Sequence, residues 1–139
     1  WGSNSYGQLN VEELSNVIAL SAGDNHAAAL LVDGTVQAWG RDNYGQSTVP
    51  EDLADVISLA SGWNYTLALK SDGTVVGWGR NDNGQLNIPD GLTDVVAIGF
   101  PSSFTISLGI LLLGILIPIS LFLFLKSFGI LLFAFRIKV

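Results

Sequence analysis

The chain has 139 residues, room for about one ordinary domain, and holds neither methionine nor cysteine. The absent cysteine excludes a disulfide framework, thiolate metal sites and a thiol nucleophile, and the absent initiator residue leads us to expect an interior or processed fragment. All twelve acidic residues lie between Glu12 and Asp94 with only Arg41, Lys70 and Arg80 for company, so residues 1–100 carry 3 − 12 = −9 and nucleic acid is not an expected partner.

Taken from the start, the chain repeats itself. Trp1-Gly2 returns as Trp39-Gly40 and Trp78-Gly79, at intervals of 38 and 39. Gly7-Gln8 returns in the same register as Gly45-Gln46 and Gly84-Gln85, and Val17 as Val56 and Val95. Asp33-Gly34-Thr35-Val36 comes back 39 residues later as Asp72-Gly73-Thr74-Val75. Columns that stay in register over such distances mark a structural repeat. The first unit is one residue short because the segment after Gly7-Gln8 lacks the proline found at Pro50 and Pro89.

Within a unit the first predicted strand is Val17–Ser21, then Val56–Ala60 in the next. Large and small residues alternate there, and neither face carries a charge, so the strand is expected to be covered on both sides. A glycine corner at Gly23 or Gly62 leads into a second strand, His26–Leu31 or Tyr65–Lys70. Asp-Gly then predicts a tight primed hairpin turn with positive φ at its central residues. A third strand, Thr35–Trp39 or Thr74–Trp78, ends on Trp-Gly, and the polar stretches 41–46 and 80–85 read as exposed loops. No sustained helical period occurs in residues 1–100. Several short strands per unit suit a β-propeller blade, which cannot bury both of its faces without neighbours.

The third unit begins with Val95-Val96-Ala97-Ile98, has Pro101 where the corner glycine should stand, and stays aligned through Phe104–Leu108. From Gly109 every column fails. Of the 31 residues from 109 to 139, 20 are Leu, Ile or Phe, which is no continuation of the repeat. Ile106–Leu125 is long enough for a membrane helix, and Lys126, Arg136 and Lys138 behind it would place the C-terminus in the cytoplasm and the repeats outside. A second reading stands beside the anchor: the break falls inside a strand without a linker, as a shifted reading frame would leave it.

The run Val56–Gly79, followed by Gly84-Gln85 and Pro89, resembles the regulator of chromosome condensation repeat. The WD repeat, of similar period, would carry Trp-Asp where this chain has Trp-Gly. The resemblance implies a propeller of about seven blades, with short units like those of the bacterial branch, which includes a secreted inhibitor that docks a loop-rich face onto β-lactamases. The expected fold is therefore all-β: an incomplete propeller of about two and a half blades over residues 1–105, with the remaining blades upstream. A hydrophobic, transmembrane-like helix over 106–125 and a short basic and apolar tail over 126–139 are expected to follow.

The catalytic inventory is nearly empty. His26 is the one histidine, and its aligned partners are Tyr65 and Phe104, so the column reads as a packing position. No nucleophile motif or phosphate loop accompanies it, and the Asp/Asn-rich loops lack calcium-loop spacing. No catalytic residue, metal or cofactor is expected. The positions where units differ are the candidates for binding a protein partner: Trp63 and Asp24, which share a column with Ser102, and Tyr6 and Tyr44, which share one with Asn83. Exposed Trp and Tyr are over-represented at binding hot spots. The expectation is a non-enzymatic protein-binding propeller at the cell surface or outside the cell. An exchange-factor-like regulator, or an enzyme whose site lies in other blades, are the alternatives.

Overall fold

The computed structural model describes residues 2–11 and 13–99. Each complete repeat folds into a three-stranded antiparallel sheet. The first sheet is β1 (Val17–Ala22), β2 (His26–Leu31) and β3 (Val36–Gly40); the second is β4 (Val56–Ser61), β5 (Tyr65–Lys70) and β6 (Val75–Gly79). Strand order follows chain order in both, so each sheet is a simple meander of one blade. Among the described residues there is no helix, and hence none long and apolar enough to cross a membrane. The expectations placed on 100–139, the segment Ile106–Leu125 among them, lie outside the described residues.

Register decides which side chains share a face. Leu59, Ala68 and Val76 lie abreast, as do Ser61, Thr66 and Trp78, and these form the face that meets the first sheet. There Leu30, Leu53, Val56, Ala68 and Trp78 make one core, with Val36, Val49, Leu59 and Val76 packed around it. The opposite face offers Tyr65, Leu67, Leu69 and Val75 to Leu86, Ile88 and Leu92 of the following connection, and to Val95 and Ile98 of the third unit. Fully burying a leucine such as Leu30, Leu67 or Leu69 is worth about 1.5–3 kcal/mol, so the second sheet is held from both sides.

The uncharged first strand behaves differently in the two sheets. Val56 and Ala60 of β4 are buried, as expected. In β1 the expected two-sided cover is absent: Ile18 is 60% and Leu20 69% exposed. A blade is covered only by its neighbours, and among the described residues the first sheet has one on a single side. A bulge between Val56 and Ser58 also turns Ile57 out of the core, leaving it 55% exposed.

The Asp-Gly signals do mark the hairpins, but the turn is not the primed type. Only the glycine enters the left-handed region, at φ 79° for Gly34 and 78° for Gly73. The Gly34 amide donates to the Leu31 carbonyl, and Leu31 receives the chain back through its bond to the Thr35 carbonyl. This is the longer hairpin built from a turn plus a glycine bulge. Asp33 Oδ1 takes both the amide and the hydroxyl of Thr35, at 3.0 and 2.6 Å, and Asp72 does the same for Thr74. With Thr35 and Thr74 engaged in the turn, the third strands begin one residue later than predicted.

The same glycines fasten one unit to the next. The Gly34 carbonyl accepts the Val56 amide and the Gly73 carbonyl accepts the Val95 amide, both at 3.1 Å. A Cβ on Gly73 would lie 2.8 Å from the Asp94 nitrogen, so glycine is required there for contact as well as for φ. Asn16 and Asp55, just before β1 and β4, and Asp94 at the equivalent position of the third unit share φ values of 59°, 59° and 61°. Asn and Asp tolerate that conformation better than other side chains.

Candidate functional site

The Asp-Gly hairpins occupy one end of the two sheets. The opposite end gathers the β1–β2 and β4–β5 corners together with the loops that leave β3 and β6. Pairing of His26 with Gly40 and of Tyr65 with Gly79 brings them there. The Arg41 amide bonds the Asn25 carbonyl at 2.8 Å, and the Arg80 amide the Asn64 carbonyl at 2.9 Å. All four sequence candidates, Tyr6, Asp24, Tyr44 and Trp63, therefore stand on one rim.

The loops of this rim are polar by composition but rigid by construction. In each of three copies an Asn or Asp side chain closes the loop onto a backbone amide: Asn4 on Leu9, Asp42 on Ser47, Asn81 on Leu86, at 2.7–2.8 Å. Gln8, Gln46 and Gln85 each turn Oε1 back to accept the amide two residues earlier, that of Tyr6, Tyr44 or Asn83, at 2.9 Å every time. Gly7, Gly45 and Gly84 share φ near 75° (75°, 76° and 74°). Satisfying these amides inside the loop fixes its shape in advance, and the variable residue is then displayed on a preset frame.

The frame is also locked between units. Trp78 Nε1 donates to the Gln46 carbonyl at 3.1 Å, and Trp39 Nε1 to the Gln8 carbonyl at 3.0 Å. Gln46 is wholly buried, and its Nε2 reaches Asn64 Oδ1 at 3.3 Å, one residue from Trp63. The Asp24 amide donates to the Trp63 carbonyl at 3.3 Å, joining the two corners. The recurring Trp and Gln are thus the staple of the rim, which explains why they repeat.

On this frame Trp63 is 81% exposed, Tyr6 46% and Tyr44 41%. Trp63 does not serve as packing between blades. Two residues that the sequence reading passed over complete the surface. The Arg41 guanidinium lies 4.8 Å from the Tyr6 ring centre and 6.0 Å from that of Tyr44, and Arg80 lies 4.9 Å from Tyr44. The result is an alternating row, Tyr6, Arg41, Tyr44, Arg80, in which each close contact is worth about 0.5–1 kcal/mol. Arg80 also bonds Asp82 at 2.7 Å, which, together with the nearby Tyr44, holds its guanidinium above the ordinary range. The signal was present in sequence as an arginine directly after Trp-Gly in both complete units of an acidic chain.

His26 sits where the sequence placed it, in the core. It is 2% exposed, its Nε2 is 2.9 Å from Thr66 Oγ1 of the next sheet, and Nδ1 is buried without a partner. Burial pushes its pKa below 6.5, opposed in part by Asp42. Among the described residues no three His, Cys, Asp or Glu side chains cluster to hold a metal.

Comparison with known proteins agrees with this geometry. The family model described as the regulator of chromosome condensation (RCC1) repeat matches residues 17–46 and 56–85. No curated protein matches the sequence. Among solved structures, Prp20p from Saccharomyces cerevisiae, described with its binding to Gsp1p and histones, is 25% identical with a TM-score of 0.53, over 65% of this chain and 28% of that one. The structure of Kap60 bound to yeast RCC1 (Prp20) aligns at 26% identity and a TM-score of 0.52, over 65% and 27%. The ectodomain of the Physcomitrella patens receptor kinase CR4 aligns at 29% and 0.51, over 73% and 29%. The chain spans less than a third of the length of each.

Proposed function

We propose, from the premise that this chain carries two regulator of chromosome condensation repeats, that it works as a non-enzymatic protein-binding module through the rim that bears Trp63, Tyr44 and Tyr6. The observation that carries the proposal is a tryptophan 81% exposed on the same rim as two half-exposed tyrosines, whose loops are closed by their own hydrogen bonds before any partner arrives. An indole left in water contributes nothing to folding, whereas burying it against a partner recovers the hydrophobic free energy at little ordering cost. Prp20p, which shares this fold, is described as binding proteins, Gsp1p and histones. Such an assignment also suits the acidic body of the chain, which favours a positive or mixed protein surface.

The test is Trp63→Ala in the full chain. Partners captured by the parent chain are expected to be lost or weakened at least tenfold (about 1.4 kcal/mol). The unfolding midpoint stays within about 0.5 kcal/mol of the parent because the side chain is exposed. Retention of every partner by the variant, or loss of its folded state, would remove Trp63 from the binding surface.

A further inference from the structure

The two complete units present the same arginine in different electrical states. In the second unit Arg80 is neutralised from within, its Nε 2.7 Å from Asp82 Oδ2. In the first unit the residue aligned with Asp82 is Asn43, which carries no charge. Asp42 does not substitute for it, because its Oδ1 accepts the Ser47 and Thr48 amides and its Oδ2 the Thr48 hydroxyl. The described residues contain two ion pairs, Lys70 with Asp72 and Arg80 with Asp82, and Arg41 belongs to neither. Its Nε is buried and has no hydrogen-bond partner. The guanidinium carbon lies 4.8 Å from the Tyr6 ring centre and 6.0 Å from that of Tyr44, so two aromatic rings border it.

We infer that Arg41, framed by Tyr6 and Tyr44, is a receptor for a carboxylate on the partner protein, an Asp or Glu side chain presented at the rim. The inference rests on the binding role proposed for this rim and supplies its chemistry. A planar guanidinium offers parallel donors that match a carboxylate. The cation–π contact with Tyr6, at 4.8 Å, reduces the side-chain freedom that an exposed arginine would lose on binding. Asn43 leaves the position empty of the internal carboxylate that silences Arg80. The surrounding negative charge adds selectivity: it repels a broadly acidic surface, so the fitting partner offers a single carboxylate among neutral or basic groups.

The experiment is a titration of the full chain, ¹⁵N-labelled, with the blocked peptide Ala-Ala-Glu-Ala-Ala and its Gln twin, following the side-chain Nε–H resonances of Arg41 and Arg80. The Glu peptide is expected to shift Arg41 and leave Arg80 in place, and the Gln peptide to shift neither. Asn43→Asp, which supplies the first unit with the carboxylate that Asp82 gives the second, is expected to weaken the Glu peptide about tenfold while the backbone spectrum is retained. Equal shifts with both peptides, equal shifts at both arginines, or an unaffected Asn43→Asp variant would overturn the assignment. Inorganic phosphate binding Arg41 as tightly as the Glu peptide would overturn it too, by making the site a general anion trap. Failure here with Trp63 still required for partner capture would discard the carboxylate receptor alone; loss of both would discard the rim as a binding surface.

Discussion

The Trp–Gln staple can be weighed against itself, because the described residues contain it twice. Trp78 is buried, 6% exposed, and bonds the carbonyl of the wholly buried Gln46; Trp39 makes the equivalent bond to Gln8, which is only partly buried. The bonds are nearly the same length, 3.1 and 3.0 Å. Trp→Phe removes the indole N–H in either place and leaves a carbonyl behind. At Gln46 that carbonyl has no water to turn to, so Trp78→Phe is expected to cost about 1–3 kcal/mol for the unmet acceptor. At Gln8 water replaces the donor, and Trp39→Phe should cost no more than about 1 kcal/mol. Both variants lose the same atoms, so the difference reports burial rather than chemistry. Urea unfolding followed by circular dichroism measures it, with equal slopes showing that the two variants expose the same surface. Equal losses, or a larger loss at Trp39, would refute the argument that the interior position of the bond decides its worth.

Two further outcomes follow from the packing. A methyl on Gly62 would overlap the Tyr65 ring, whose Cε1 and Cζ crowd that corner, so Gly62→Ala should destabilise by about 1–3 kcal/mol through forced displacement; an unchanged unfolding midpoint would show that the ring moves freely. His26 is the only histidine and is held neutral by burial. The unfolded chain takes up its proton near pH 6.5 and the folded chain only below that, so stability should be full above about pH 6.5 and fall as pH drops beneath it. The carboxyls of Asp33 and Asp72, lowered by their bonds from Thr35 and Thr74, act only in a more acidic window, at and below the usual carboxylate range. Comparing urea midpoints at pH 7.5 and 5.5 for the parent and His26→Phe checks this; an equal fall in both would assign the acid sensitivity elsewhere.

The repeat period alone determined the strands of both blades to within a residue, the corners between them and the hairpin sites. Those depend on local pattern: alternation of side chains, glycine where φ must be positive, and Asp placed to bind a following Thr. The packing role of His26 was also legible, because its column accepts Tyr and Phe. The tertiary structure alone decided what happens across the array. Burial of β4 but not of β1 depends on whether a neighbouring sheet lies against it, and nothing within the strand reports that. Trp63 could have been a core residue or a displayed one on sequence grounds, and only the corner's position at the open end of the sheet turned it outward. Tyr6, Arg41, Tyr44 and Arg80 come from three successive loops and meet because antiparallel pairing returns each loop to the same rim. The pairing of Arg80 with Asp82, and its absence at Arg41, gains meaning only once those loops stand side by side.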